Sequence, residues 1–157
     1  MADNLSAADR SRTMRAVKSK RTGPERRLRA MLAGRGIRGW RANAQGLAGN
    51  PDIVFPLRRV VVFIDGCFWH GCPECKRPLP RAHASYWRRK IAGNVTRDRR
   101  VRRRLAASGW RVVRVWEHEL TPGGQLLEIG ARILKNKRRL VGGPSSKLLS
   151  RLGVKRR

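Results

Sequence analysis

The stretch Asp65-Gly-Cys-Phe-Trp-His-Gly-Cys-Pro-Glu-Cys75 gathers all three cysteines of the chain, one histidine and two adjacent aromatics. Its C-x4-C-x2-C spacing offers three soft thiolates that can close round one zinc ion and leave a fourth tetrahedral position. The chain has three histidines, so the candidates for that position are His70 and His83 nearby and His118 far along. A disulfide framework would leave one thiol over, whereas a metal takes three or four ligands; the plainer alternative is three small buried residues spaced by chance. His70 is also of the residue type that most often serves as a general base. Carboxylates are scarce, ten Asp and Glu in 157 residues, and three of them stand out. Asp52 follows Pro51 at the start of an apolar run, where it can hold Mg²⁺ beside a bound phosphate. Asp65 closes the run Val60 to Ile64, and Glu25 opens a helix. Turn chemistry is the plainer reading of either Asp, and capping that of Glu25.

Lysine and arginine number 38 against those ten acids, a formal net charge of +28. Self-repulsion on this scale calls for a polyanion to neutralise it, and the planar guanidinium suits phosphates and guanine edges. Nucleic acid is therefore the expected partner. A membrane surface is the weaker reading, and a GC-rich codon bias would raise arginine without removing acids. No run of about 18 apolar residues is present to span a membrane. The polar N-terminus has no apolar signal-peptide core, and reduced or metal-bound cysteines agree with a cytoplasmic, nucleoid-associated protein.

The length points to one domain, with a flexible lead over 1–10, a folded body over 11–140 and a disordered basic tail over 141–157. From Ser11 the composition predicts a thinly apolar helix containing Met14 and Val17. Thr22 and Glu25 have capping-box spacing with Pro24 between them, and Leu28, Met31 and Leu32 follow on one face before Gly34 and Gly36. Residues Ile37 to Ala44 predict a first strand. Pro51 to Phe55 and Val60 to Ile64 read as a hairpin, its second strand central because both faces are apolar. Asp52 and Asp65 are expected at opposite ends of that hairpin unless register or a bulge joins them. Ser85 is expected to cap a helix to about Ala107, with Trp87, Ile91, Asn94, Asp98, Val101 and Leu105 on one stripe and arginines on the other faces. Trp110 to Trp116 predicts a strand delivering Glu117-His118-Glu119. A last helix, roughly Gly124 to Lys137, would turn Leu126, Leu127, Ile133 and Leu134 inward. The sum is an α/β fold, helices flanking a mixed sheet.

Several of these blocks together resemble the very short patch repair (Vsr) DNA mismatch endonucleases. They are Gly49-Asn-Pro-Asp52, Phe63-Ile-Asp-Gly-Cys-Phe-Trp-His70, Tyr86-Trp87, Asn94 with Arg97-Asp98-Arg99, Gly109-Trp110 and Val115-Trp116-Glu117. The similarity runs from about Ser11 to Lys135. It implies a restriction-endonuclease-like fold with a structural zinc site, in a monomer acting on double-stranded DNA. The implied reaction is Mg²⁺-dependent nicking of one strand 5′ of the thymine in a T·G mismatch, the product of 5-methylcytosine deamination. Asp52 would bind magnesium, with the Ile64 main-chain carbonyl beside it. His70 would act on the attacking water or the scissile phosphate, and Glu25 would support the metal's water shell; Asp65 beside them, a catalytic candidate, could join the magnesium site or merely close the turn. Phe68, Trp69 and Trp87 would wedge between base pairs, with Met14, Arg15 and Asn94 also on the DNA. Zinc would take Cys67, Cys72, Cys75 and His118.

The sequence departs from the family pattern in two places. Some members carry histidine where Asp65 stands, and some use a histidine for Cys72 with the next cysteine closer. A non-catalytic zinc-stabilised nucleic-acid-binding module would also explain charge, cysteines and aromatics, but it needs neither Asp52, His70 nor Glu25. A general nuclease of the same fold would need all three.

Overall fold

The computed structural model describes residues 22–121 and 126–135, with Ser6, Ala8 and Arg12 alone before them. The expected lead, the helix from Ser11 that carries Met14 and Arg15, and the tail over 141–157 lie outside the described residues.

Helix α1, Gly23–Gly34, begins as its spacing predicts. The Glu25 amide donates to Thr22 Oγ1, and the Thr22 amide donates back to the Glu25 carboxylate, so two otherwise orphaned donors are satisfied. Leu28, Met31 and Leu32 are buried. Strand β1 is only Arg41–Ala42, shorter than the predicted Ile37–Ala44, because positive φ at Gly39 and Asn43 breaks the extended run on both sides. Strands β2, Ile53–Phe55, and β3, Val60–Asp65, form the expected hairpin, and β4, Arg111–Trp116, lies parallel to β3. The sheet order is β1-β2-β3-β4, with β3 central.

Helix α2, Ala84–Ala107, makes the crossover from β3 to β4. It starts after His83, whose φ of 57° turns the chain without a side-chain cap, so Ser85 lies inside the helix and does not cap it. Trp87 and Leu105 are buried, while Arg88, Arg89, Arg99, Arg100, Arg103 and Arg104 are exposed. Helix α3, Leu126–Leu134, buries Ile129, Gly130 and Ile133. Leu127 and Leu134, expected inward, are 72% and 37% exposed. They fall off the stripe that the i, i+3, i+4, i+7 positions 126, 129, 130 and 133 define.

Strand alternation divides the sheet. Val60, Val62, Val113 and Val115 pack with α1 and α3, whereas Val61, Phe63, Val112 and Trp110 pack with Leu105 and Val101 of α2. By the same two-residue period Asp52, Asp65 and Arg114 share the α2 face. The pairing Ile53↔Val62 sets Asp52 beside the C-terminal end of β3. The expectation that Asp52 and Asp65 fall at opposite ends is thus corrected: antiparallel pairing sets the start of one strand beside the finish of the next.

The loop leading into β2 is seated by Gly49. Its φ is +77°, and a Cβ there would come within 2.5 Å of Val101 Cγ1. Gly49→Ala is expected to destabilise the protein by about 1–3 kcal/mol through backbone strain and overpacking, measured by urea denaturation.

Candidate active site and metal centre

A cleft of about 470 Å³ opens on the α2 face at the C-terminal end of β3, lined among others by Asn50, Asp52, Ile64, Asp65, His70, Asp98 and Arg114. Asp52 Oδ2 accepts a 2.7 Å hydrogen bond from the Ile64 amide, which fixes its carboxylate just before the start of β2. An extended residue sends its N–H and C=O to the same side, so the Ile64 carbonyl is aimed towards Asp52 as well. Burial pushes the Asp52 carboxyl up from an ordinary 3.8 to about 6 despite that hydrogen bond, and the charges of Glu25 and Asp65 add to the rise. A carboxylate disfavoured in this way is one that a nearby cation can stabilise. Glu25 is 3% exposed and bonded to Thr22 and to Arg29 Nη2 at 3.1 Å. It caps α1, and its charge reaches Asp52.

His70 completes the other wall. Its Nδ1 lies 2.6 Å from Asp98 Oδ2 and 3.6 Å from Asp65 Oδ1. Arg114 donates from Nε to Asp65 Oδ2 and from Nη2 to Asp98 Oδ2 at 2.9 Å. Burial raises the Asp98 carboxyl, but the hydrogen bonds from His70 and Arg114 outweigh it and hold the group below its ordinary value. Asp98 therefore stays ionised and can orient the ring and stabilise a protonated His70. Sequence reasoning put Asp98 on the buried stripe of α2 without a role and passed over Arg114. Their signals were one acid on the inner face of a basic helix and one charge inside the β-branched run of β4.

The loop after β3 carries the aromatics. Phe68 and Trp69 are half-buried and pack edge to face at 5.1 Å between centroids. Trp87, expected to insert into DNA, is 6% exposed and lies against Phe68 and Trp69 at 5.5 and 5.9 Å. Its burial makes it the floor on which the other two rest. Asn94, expected on the DNA, donates from Nδ2 to the Trp69 carbonyl at 2.9 Å and so ties this loop to α2.

Beyond the loop, Cys67, Cys72, Cys75 and His118 converge, all four ligand atoms within 4.8 Å of one another. His118 Nδ1 lies 3.2, 3.7 and 3.3 Å from the three sulfurs in turn, and its Nε2 is 3.0 Å from Glu74 Oε2. A tetrahedral ion with bonds of about 2.3 Å to sulfur and about 2.0–2.1 Å to nitrogen spaces its ligand atoms roughly 3.5 Å apart, so the group fits a metal. Burial and the neighbouring thiols push Cys67 up to about 11, leaving the thiolates to be stabilised by a cation. Of the histidines proposed for the fourth position, His83 starts α2 and His70 faces the cleft; His118 arrives on the short 3₁₀ turn Glu117–Leu120 after β4.

Comparison with known proteins agrees with this geometry. The family model for DNA mismatch endonuclease Vsr matches residues 2–77. The DNA mismatch endonuclease Vsr of Escherichia coli K12 is 42% identical over 117 residues, 74% of each chain. The chain belongs to the Vsr family. Two further relatives of this Vsr-family chain carry the name type II nicking enzyme. That of Xanthomonas oryzae pv. oryzae is 46% identical across 80% of this chain and 92% of its own, and that of Lentzea aerocolonigenes 48% identical across 71% and 69%. This Vsr-family protein is a DNA nicking endonuclease, and DNA is its partner. Among the described residues no helix is long and apolar enough to cross a membrane.

Two outcomes follow from the site. A folded-state pKa above the unfolded one contributes stability below about pH 4 that is lost as pH rises through about 6. Asp52→Asn should therefore stabilise the magnesium-free protein at pH 7 by about 2 kcal/mol and flatten its stability profile between pH 4 and 7 in urea melts. Cys72→Ala should release the metal, counted by native mass spectrometry, and cost more than about 3 kcal/mol of stability.

Proposed function

We propose that this endonuclease nicks one strand of duplex DNA 5′ of the thymine in a T·G mismatch, using Mg²⁺, and so initiates repair of deaminated 5-methylcytosine. The observation that carries the reading is one cleft holding both the cation-seeking Asp52 and the Asp98-bound His70, beside a half-exposed aromatic pair. The end-of-hairpin position of Asp52 also supports a restriction-endonuclease-like fold, and we read the chain as one domain acting as a monomer.

Asp52 and the Ile64 carbonyl would hold the magnesium, which supplies charge neutralisation at the scissile phosphate and polarisation of its oxygen. His70 keeps Nδ1 on Asp98 and turns Nε2 to the cleft. There it accepts the proton of the water that attacks phosphorus, the P–O3′ bond breaks, and the leaving 3′ oxygen takes a proton from solvent, while Asp98 stabilises the imidazolium without taking the proton itself. Asp65, held by Arg114, contributes negative charge around Asp52. Glu25 acts through its field on Asp52 and its capping of α1. Exposed arginines of α2 such as Arg97 and Arg102, at the cleft wall, bind backbone phosphates.

Phe68 and Trp69 insert at the flawed base step, backed by Trp87 and tethered by Asn94, and Met14 and Arg15 approach the same duplex. Unstacking costs a few kcal/mol per step and is cheapest where pairing is already weak, so insertion converts deformability into selectivity. Zinc suits the Cys67, Cys72, Cys75 and His118 set, whose soft thiolates and closed tetrahedron are those of structural sites. It would rigidify the loop that carries the aromatic pair.

Matched and T·G-containing duplexes incubated with Mg²⁺ test the proposal, with Asp52→Ala as the comparison. Nicking of the mismatched duplex alone is expected, falling at least about 100-fold in the variant while DNA binding persists. Equal cleavage of both duplexes would indicate a general nuclease, and absence of nicking a binding module.

A further inference from the structure

We infer that Arg114 is a positioning residue of this active site: its guanidinium ties Asp65 to Asp98 and thereby holds the His70 ring on Asp98. The kinetic part of the test rests on the nicking reading above; the spectroscopic part does not.

Strand β4 reads Arg111-Val-Val-Arg-Val-Trp116, and position 114 is the one on the α2 face that meets the carboxylates at the end of β3. A cation in a β-branched strand is costly to desolvate unless it is paired and hydrogen-bonded. Arg114 is both. Its Nε donates to Asp65, its Nη2 donates to Asp98 at 2.9 Å and lies 3.4 Å from His70 Nδ1, and its Cζ sits 6.0 Å from the centre of the Trp116 ring. Asp65 is 3% exposed, so its charge has little water to screen it.

The competition this settles is for His70. Two carboxylates lie within reach of the same ring nitrogen, Asp98 at 2.6 Å and Asp65 at 3.6 Å. Left to themselves they repel each other and offer the ring two partners. One planar fork that donates to both removes the repulsion and engages Asp65 on its own side, so Asp98 is the partner that remains. Lysine, a point charge without the fork, cannot hold two carboxylates in this fixed relation.

The test uses the full-length protein with Arg114→Met, Arg114→Lys and the double variant Asp65→Asn with Arg114→Met. With saturating enzyme on the T·G duplex, both single variants should nick about 10–100-fold more slowly, the scale of a misplaced catalytic group. Affinity for the same duplex should change less than about threefold, the small effect expected of a group that binds no phosphate. The double variant, with one carboxylate left to His70, should nick faster than Arg114→Met; it leaves no buried charge unpaired and keeps the test open if Arg114→Met alone does not fold. In ¹⁵N-histidine spectra at neutral pH, the His70 Nδ1–H signal should be sharp in the wild type and exchange-broadened in Arg114→Met. Wild-type rates with an unchanged His70 signal, or a double variant no faster than Arg114→Met, would overturn the inference. If the wild type nicks no duplex, the nicking reading fails and the His70 signal alone decides the role of Arg114.

Discussion

One hydrogen bond organises this molecule's chemistry: the Ile64 amide to Asp52 Oδ2, at 2.7 Å. It forms where β2 has not yet begun to pair and β3 is about to end, so it locks a carboxylate onto the finish of the central strand. Several residues of the site then follow along the chain from that point. Asp65 is the last residue of β3, Cys67 begins the cysteine–histidine cluster, Phe68 and Trp69 pack on Trp87, and His70 lines the cleft. A register slip of one residue in β3 would send Asp65 to the α1 side and Ile64 to the cleft. What opposes that slip is the strand's end: it would take Asp65 away from Arg114 and bury its charge among the apolar residues of the α1 side.

The charge distribution is the second constraint. Of ten acidic residues in a chain of net charge +28, Glu25, Asp52, Asp65 and Asp98 are drawn to one region. The surroundings treat them differently. Asp65 and Asp98 are matched by Arg114 and His70, Glu25 by Arg29 and its capping bonds, while the Asp52 carboxylate accepts from the Ile64 backbone amide and is the one pushed towards neutrality. That asymmetry separates three carboxylates that are paired within the protein from one, Asp52, that burial leaves disfavoured as a charge.

Much of this was legible in the sequence. The hairpin, the central strand, the inner stripe of α2 and the cysteine cluster each follow from local periodicity and spacing, because the forces that create them act within a few residues. Long-range geometry was not legible to the same degree. The apposition of Asp52 and Asp65 was misjudged, although antiparallel pairing alone dictates it. The burial of Trp87 beneath Phe68 and Trp69 was not legible either, because aromatics beside a binding loop and aromatics beneath one share a composition and only packing separates them. Arg114 was missed because its meaning lies in two partners 49 and 16 residues away. Leu127 and Leu134 were turned inward on apolarity alone, where the helical stripe leaves them outside.

The central claim is that a cation held by Asp52 shares its cleft with the His70–Asp98 pair. Paramagnetic broadening tests it most directly: Mn²⁺ added to the full-length protein while the ring signals of the three histidines are followed by NMR. The account predicts that His70 broadens selectively, with His83 and His118 little affected, and that Asp52→Ala abolishes the effect. Equal broadening of all three rings, or selective broadening of His70 that survives Asp52→Ala, would contradict it.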